Sequence, residues 1–311
     1  MIAALGSAGR VLAVGIGGGG DVVGALAVAQ LARLLGTPAT VGGLSWERRP
    51  IDPGAGPRRI DELSGAHRID AATALAGPDT TGPGGFHFAE SHMARHLGEA
   101  VLLLDPSGGP AAVASGLVAA SRQLGCDLVV LVDVGGDVLA HGDEAGLASP
   151  LADAVCLAAA PALASAGLPA LLAVFGTGCD GELTPAEADD RFAEVTRAGG
   201  HLGTWAPGPA EVARLEAAVA QVPTEASAMA LRCARGERGT ATIRAGRRTV
   251  QLTAAGGQVV FFEPLAALRS AARCARLVER AGSLSEANDI LLADGMSTEL
   301  AYEARHAATD P

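Results

Sequence analysis

The sequence predicts an α/β protein with a three-layer, Rossmann-like, doubly wound and mostly parallel sheet. Helices are expected on both faces of the sheet, followed by a C-terminal α+β extension. Short apolar runs alternate with longer helical patterns from residue 10 to the helix that begins after Thr184, which is typical of strand–helix–strand units with right-handed crossovers. Four of the apolar runs end in glycine together with aspartate or glutamate. Loops at the carboxyl ends of parallel strands are where such sheets bind ligands.

The composition favours a single α/β domain over residues 1–311. Of the 311 residues 49% are hydrophobic and only 3% are aromatic, so the core is expected to consist of alanine, valine and leucine. The formal net charge of −11 argues against nucleic acid or an anionic membrane surface as a partner. No apolar stretch of about 18 uninterrupted residues occurs, which predicts no membrane span.

The cellular setting is expected to be the cytoplasm. The five cysteines are widely spaced and odd in number, which favours a reducing compartment. The segment Met1–Ser7, which precedes the first strand, is too short for a signal peptide. The expected partner is a small-molecule substrate, and association into a homo-oligomer is left open.

The first part of the chain is predicted to contain three strands and three helices. The strands are expected at residues 10–17, 39–44 and 101–104, and the helices at residues 22–35, 90–97 and 110–124. Between them, the polar residues 45–85 include five prolines and are too long for a simple connection. Long irregular segments of this kind commonly form binding loops, so we predict a lid-like excursion over residues 45–85.

The second part is predicted to add two strands, at residues 127–132 and 170–175, and helices over 150–164 and after Thr184. Thr184 and Glu187 form a capping-box pattern with proline between them. Residues 209–311 are expected to pack on the core. They show a helical pattern over 209–235 interrupted near Pro223, a hairpin of 240–244 with 248–253, a strand at 259–263 and two closing helices.

Four glycines and an aspartate separate the first strand from its helix. Glycine allows backbone N–H groups to turn inward, and a helix N-terminus adds partial positive charge. We therefore predict that Gly17, Gly18, Gly19, Gly20 and Asp21 bind an anionic group, either a phosphate or a carboxylate. In the alternative interpretation, Asp21 caps the helix and the glycines permit close strand–helix packing.

Three further strand ends, at residues 105–109, 133–137 and 176–182, carry the same combination of residues and are expected at the same sheet edge. The candidate catalytic residues are Asp133, Asp137, Asp180 and Glu182, and the first three are also candidate metal ligands. The candidate ligand-binding residues in these loops are Ser107, Gly108, Gly135 and Gly136. Turn formation is the alternative role for each aspartate.

The carboxylates would repel a bare phosphate, and two solutions stay open. A Mg²⁺ ion could bridge the carboxylates and the phosphate of a nucleotide or other metabolite. Alternatively, the carboxylates bind an amine or sugar hydroxyls, or act as general acid and base. Neither the cofactor nor the reaction follows from the residues.

Three weaker candidates lie elsewhere. Trp46 and Arg48 open the long excursion, and Arg48, together with the arginines at 49, 58 and 59, could supply positive charge over the pocket. His92 and His96 have the helical spacing of metal ligands. Cys179 lies in a site loop on the N-terminal side of a helix, where a thiol pKa can fall. Exposed loop and helix surfaces are the alternatives for the arginines and histidines.

Several motifs together resemble the uncharacterised family called domain of unknown function 1152. They lie at residues 15–21, 44–48, 52–57, 132–137, 143–144, 149–153 and 178–182, and the resemblance spans nearly the whole chain. It implies a single α/β domain with a site at the carboxyl edge and brings no established activity. The glycine loop alone is also similar to the strand–turn–helix loop of D-glutamate cyclases and to the ATP-pyrophosphatase loop, although Gly17 and Val22 replace the two serines of the latter.

From these observations we expect a cytoplasmic, biosynthetic enzyme that binds an anionic metabolite or nucleotide at the carboxyl edge of the sheet. Its clustered carboxylates would serve a divalent metal or acid–base chemistry. An amino-acid lyase or cyclase that needs no nucleotide is the first alternative. A non-catalytic protein that binds a small ligand in the same pocket is the second.

Overall fold

The computed structural model describes residues 1–307 and is built around a nine-stranded, mostly parallel sheet, as predicted. The order of strands across it is β3-β4-β5-β2-β1-β6-β7-β11-β8, and β9 and β10 form a separate hairpin. The strands are β1 Val11–Gly15, β2 Ala39–Leu44, β3 His67–Arg68, β4 Thr73–Ala76, β5 Val101–Leu104, β6 Leu128–Val134, β7 Ala170–Phe175, β8 His201–Trp205, β9 Gly239–Ile243, β10 Arg248–Leu252 and β11 Val259–Phe262.

The five central strands, β5, β2, β1, β6 and β7, are all parallel. The chain moves outward from β1 to β2 and β5 and then crosses back to place β6 on the other side of β1. The switch point of the sheet therefore lies between β1 and β6, where Val11 pairs with Leu128 and Gly15 with Val132. In open α/β sheets, ligands bind at the carboxyl ends of the strands that flank such a point.

Helices cover both faces of the sheet and complete a three-layer architecture. They are α1 Ile2–Ser7, α2 Val22–Leu34, α3 Ala89–Leu97, α4 Gly109–Leu124, α5 Leu151–Leu157, α6 Ala160–Ser165, α7 Pro185–Arg197, α8 Pro209–Val219, α9 Ala226–Ala234, α10 Pro264–Arg269, α11 Arg273–Val278, α12 Leu284–Ala293 and α13 Glu299–Ala307. None of these helices has the length and apolar character that crossing a bilayer requires.

The pleat of the central strands divides the core into two parts. Leu12 and Val14 of β1 belong to the core on one face, together with side chains of α4–α7 and α10–α12. Val11 and Ala13 belong to the core on the other face, with side chains of α2, α3, α8 and α9. Because both faces are buried, the central strands appear in the sequence as continuous apolar runs rather than alternating patterns.

The structure departs from the expected elements mainly at the sheet edges. Residues 67–76, inside the long excursion, form β3 and β4, and β4 pairs antiparallel with β5. The unpredicted strand β8 pairs with β11, which itself runs antiparallel to β7. The prediction of two closing helices was wrong, because four helices follow β11 up to residue 307. Gly295, with φ of 88°, adopts a left-handed conformation that separates α12 from α13.

Gly24 is required where α2 lies against β6. A Cβ atom at this position would lie 2.6 Å from Cγ2 of Val134. Replacing a helical glycine by alanine ordinarily stabilises a helix by about 1 kcal/mol. At this position we expect the clash to dominate, so that Gly24→Ala lowers the free energy of unfolding by about 1–3 kcal/mol in urea denaturation.

The matched control is Gly6→Ala in α1, where the nearest atom would lie 4.0 Å from the new Cβ. This variant is expected to be as stable as the wild type or more stable by up to about 1 kcal/mol. Equal stabilisation by both substitutions would contradict the close packing of α2 on β6.

Candidate functional site

The glycine loop after β1 binds a carboxylate of the chain itself. Asp21 Oδ2 accepts hydrogen bonds from the backbone N–H groups of Gly17, at 3.0 Å, and of Val134, at 3.3 Å. The N–H group of Gly19 donates to the carbonyl oxygen of Trp46 at 3.1 Å. The Asp21 side chain makes no capping hydrogen bond to α2. Part of the predicted anion pocket therefore serves to hold Asp21 in place.

Asp21 forms a first carboxylate group with Asp133, at the end of β6, and Asp153, in α5. One oxygen atom from each residue lies within 4.8 Å of the other two. The residues Asp133 and Asp153 are only 1% and 2% exposed. Asp153 Oδ1 is buried and has no hydrogen-bond partner within residues 1–307. Since an unpaired buried oxygen of this kind is costly, the geometry favours a bound cation or a proton at this point.

A second carboxylate group consists of Asp137, Asp180 and Glu182. Asp137 begins a short 3₁₀ turn, Asp137–Leu139, after β6, and the other two follow β7. Their oxygen atoms also lie within 4.8 Å of one another. The three predicted metal ligands are therefore divided between the two groups, with Asp133 in the first group and Asp137 and Asp180 in the second.

Glu182 is the one member of the second group that is fully engaged by hydrogen-bond donors. One carboxylate oxygen accepts from the N–H groups of Ala148, at 2.8 Å, and Ser149, at 2.9 Å. The other accepts from Arg248 at 2.7 Å. Burial raises the pKa of Glu182, but Arg248 and the other donors outweigh it and hold the pKa below its usual value. Glu182 is therefore ionised, and its hydrogen bonds link the 148–149 segment to the β9–β10 hairpin.

The cavity between these groups has a volume of about 200 Å³ and is lined by eight carboxyl and three arginine side chains. Burial raises the pKa of Asp21 and of Asp180 to about 7. Burial, reinforced by neighbouring carboxylates, raises the pKa values of Asp133, Asp137 and Asp153 well above the usual range. Without a cation, the site therefore retains several protons near neutral pH.

Arg48 places a fixed positive charge beside the glycine loop. Its Nη2 atom donates to the carbonyl oxygen of Gly17 at 2.6 Å, and its guanidinium lies 4.5 Å above the ring of Trp46. The carboxylates of Glu299 and Glu303 each lie 3.5 Å from it. Burial lowers the pKa of Arg48, but these carboxylates outweigh it and raise the pKa above its usual value.

The last described helix, α13, holds several parts of the site together. Glu303 accepts a hydrogen bond from Trp46 Nε1 at 2.9 Å, so the buried Trp46 orients Arg48 rather than lining the cavity. Glu299 accepts from the N–H groups of the first two residues of α5 at 3.1 and 2.8 Å, and α5 carries Asp153. Asp153, Glu299 and Glu303 were not predicted as site residues, although Asp153 lies in a motif of the family resemblance.

The β9–β10 hairpin brings a second positive charge, Arg244, to the cavity. Its Nε atom is buried without a hydrogen-bond partner in the described part of the chain and lies 3.8 Å from a carboxylate oxygen of Glu225. Burial, followed by the charges of Arg248 and Arg48, lowers the pKa of Arg244. The sequence showed only a hairpin turn here and gave no sign that it reaches the site.

The remaining predicted glycines have different positions. Gly17, Gly18 and Gly19 line the cavity. Gly20 instead packs against the 223–224 segment, where a Cβ would lie 2.6 Å from Cβ of Thr224. Gly135 and Gly136 have φ values of 140° and 112° and shape the turn after β6.

The loop at 105–109 lies at the same sheet edge but apart from the cavity. Because β2 separates β5 from β1, Ser107 and Gly108 are not among the residues that line it. The carbonyl oxygen of Ser107 accepts a hydrogen bond from the N–H group of Leu284 at 2.9 Å. We therefore leave both residues out of the proposed binding site.

Of the other sequence candidates, Arg49 lines the cavity, whereas Cys179, the two histidines and the arginines at 58 and 59 lie outside its lining. Cys179 is buried with its Sγ atom 3.9 Å from that of Cys233, and this neighbour together with burial raises its thiol pKa. His92 packs against His87 with ring centroids 5.8 Å apart. Among the predicted arginines, Arg58 is paired with Asp52, and the arginine at 59 is exposed and paired with its neighbour at 61.

Comparison with known proteins gives one match. The family described as "Protein of unknown function (DUF1152)" matches residues 12–307, in agreement with the resemblance noted in the sequence. No curated protein and no solved structure matches the chain. The function must therefore be argued from the site itself.

The crowding of carboxyl groups predicts an unusual dependence of stability on pH. A buried carboxyl group with a raised pKa contributes stability at low pH, and that contribution is lost as the pH rises through the raised pKa. Asparagine at position 153 cannot ionise. In urea unfolding with a chelator present, we expect the stability of Asp153→Asn relative to the wild type to increase by about 1 kcal/mol or more between pH 5 and pH 8.

Asp189→Asn, on the exposed side of α7, provides the control and is expected to match the wild type at both pH values. A stability difference between Asp153→Asn and wild type that does not change with pH would contradict the proposed protonation of this site.

Proposed function

The chain belongs to the DUF1152 family, and we propose that it is a divalent-metal-dependent enzyme that acts on an anionic small molecule at the carboxyl edge of its sheet. The observation that carries this proposal is the buried group of Asp21, Asp133 and Asp153, in which one oxygen from each residue lies within 4.8 Å of the other two and Asp153 Oδ1 has no hydrogen-bond partner within residues 1–307. A cation between the three carboxylates would satisfy this atom and remove their mutual repulsion.

The donor set favours a hard divalent cation such as Mg²⁺ or Mn²⁺. All three ligand candidates are carboxylates, with no imidazole or thiolate among them. Oxygen-only sites of this kind suit Mg²⁺, Ca²⁺ and Mn²⁺, whereas nitrogen and sulfur ligands select zinc or copper. The backbone N–H groups of Gly17 and Gly136 each bind one carboxylate oxygen of the group, which fixes Asp21 and Asp133 in orientation.

An anionic ligand is supported by the charges around the carboxylates. Arg48 and Arg244 line the cavity together with the carboxylates, and Gly18 and Gly19 allow close approach of a ligand to the backbone. A divalent cation can bind protein carboxylates and a substrate phosphate or carboxylate at the same time. Such a bridge overcomes the repulsion that the acidic residues alone would exert on an anion.

Asp137 and Asp180 are the proposed proton-transfer residues. Both line the same cavity as the first carboxylate group, and burial raises the pKa of Asp180 to about 7. A general acid or base with a pKa near the working pH contributes about 10²–10⁴-fold to a reaction rate. Glu182, being ionised and fully hydrogen-bonded, is a positioning residue in this scheme.

Metal binding can be tested without a known substrate. In Mn²⁺ titrations followed by electron paramagnetic resonance, the wild type is expected to bind one or more ions. Asp153→Asn is expected to weaken binding by about 100-fold, because the cation loses one of its three anionic oxygen ligands. Asp189→Asn, far from the cavity on α7, is expected to bind Mn²⁺ like the wild type.

Wild-type protein that binds no Mn²⁺, or equal binding by wild type and Asp153→Asn, would contradict the metal-dependent proposal.

The ligand class is addressed by thermal-shift measurements with nucleotides, sugar phosphates and amino acids, each with and without Mg²⁺. Stabilisation by an amino acid without metal would favour a lyase or cyclase instead. Binding of any ligand without turnover would favour a non-catalytic binding protein.

A further inference from the structure

A second cavity adjoins the carboxylate site. It has a volume of about 500 Å³ and shares Arg48, Arg49, Ser149 and Arg244 with the first cavity. Six arginines line it, and they come from the segment after β2, from the β9–β10 hairpin and from α13. This concentration of positive charge is unexpected in a chain with a formal net charge of −11.

Two of the arginines are neutralised within the fold. Arg48 lies 3.5 Å from both Glu299 and Glu303. Arg248 forms an ion pair with Glu182 at 2.7 Å. These residues hold the site together, and their charges are already compensated.

Arg244 and Arg247 differ from these two. The carboxylate of Glu225 is bound at 3.0 Å by the backbone N–H group of Arg244, and the guanidinium Nε lies farther away, at 3.8 Å. Arg247 donates to the hydroxyl of Tyr302 at 3.1 Å and to a backbone carbonyl at 3.0 Å. Among residues 1–307 it forms no ion pair with a carboxylate. The tip of the hairpin therefore presents positive charge that the fold leaves poorly compensated.

The hairpin turn holds these side chains in a fixed arrangement. Arg244 and Ala245 have φ values of 55° and 53°, and the turn is closed by a hydrogen bond from the N–H group of Gly246 to the carbonyl oxygen of Ile243 at 3.1 Å. Gly246 also has a positive φ, of 82°, and residues 244–247 connect the paired residues Ile243 and Arg248. Arg244 thus lies on the boundary of both cavities, while Arg247 lies on the wall of the second alone.

We propose that Arg244 and Arg247 bind the phosphate group of a phosphorylated small molecule whose remainder extends past Ser149 to the first carboxylate group. A phosphate dianion offers several oxygens to two guanidinium groups and balances both charges, which a single carboxylate does not. A cavity of about 500 Å³ is of the size that binds small metabolites. This inference names the substrate class of the proposed function and rests on it, but the phosphate subsite itself requires no metal.

The test uses inorganic phosphate as the probe in calorimetric titrations of the metal-free protein at constant ionic strength, with succinate as a dicarboxylate comparison. Wild type is expected to bind phosphate more tightly than succinate. Arg244→Gln and Arg247→Gln are each expected to weaken phosphate binding by about 10-fold to 100-fold, as for the loss of a charge-assisted hydrogen bond. Arg247→Lys is expected to retain part of the affinity, since it keeps the charge without the planar fork.

Two control variants make the outcome specific. Arg122→Gln, on the exposed surface of α4 outside both cavities, is expected to bind phosphate like the wild type. Asp153→Asn is expected to bind Mn²⁺ more weakly by the factor given above while phosphate binding to the metal-free protein is maintained. Circular dichroism and melting temperature establish that each variant is folded.

No phosphate binding by the wild type, equal affinity for succinate, or unchanged phosphate affinity in both arginine variants would overturn the inference. Failure of the metal site is a separate result. Phosphate binding that depends on Arg244 and Arg247 in a protein that binds no Mn²⁺ would support the subsite and reject the metal-dependent function. Mn²⁺ binding without any phosphate binding would support the metal-dependent function and reject the phosphate subsite.

Discussion

The carboxyl group of Asp21 joins the two strands on which the site depends. Its Oδ2 atom accepts hydrogen bonds from the glycine loop after β1 and from the last residue of β6, across the switch point of the sheet. This arrangement fixes Asp21 beside Asp133, and one oxygen of the buried Asp153 lies within 4.8 Å of an oxygen of each. Several carboxyl groups are thereby buried at one place, and buried like charges are stable only with protons or cations between them.

The elements around the buried carboxyl groups bring positive charge close to them. Positive charges reach the acidic edge of the sheet from two distant parts of the chain: Arg48 after β2, and Arg244 and Arg248 from the hairpin. The helix α13 orients the first of these and also binds the N-terminus of the helix that carries Asp153. The site is thus a layered charge distribution, with carboxylates at the sheet and arginines above them. An anion bound through a divalent cation would be complementary to both layers.

The central part of the fold follows from the sequence because its physical signals are local. Strands β1, β2, β5, β6 and β7 are buried on both faces and appear as apolar runs, and the glycine and carboxylate residues after them mark the ligand-binding edge. The edge strands lack these signals. The strand β3 has two residues, both exposed, and β8 is largely unburied, so neither shows the continuous apolar run of a central strand.

From the sequence, site residues could be predicted only where they directly follow a predicted strand. Asp133 and Asp180 were identified from their strand ends, whereas Asp153 lies on a helix whose sequence shows only a buried face. Glu303 and Arg244 reach the site through tertiary packing of α13 and the hairpin, which no local pattern encodes. Ser107 was predicted to bind the ligand because it lies in a strand-end loop of the expected composition. That loop follows β5, two strands from β1, and Ser107 contacts the start of α12 instead of the cavity.

The most direct test of this account is a crystal soaked in Mn²⁺ and measured at a wavelength where manganese scatters anomalously. The account predicts an anomalous peak between the carboxylates of Asp21, Asp133 and Asp153, at about 2.0–2.3 Å from their oxygens, which is the range for a hard divalent cation. A map without a peak there, with Asp153 Oδ1 instead within hydrogen-bond distance of Asp21 or Asp133, would show that shared protons stabilise the group. That result would contradict a metal-dependent function.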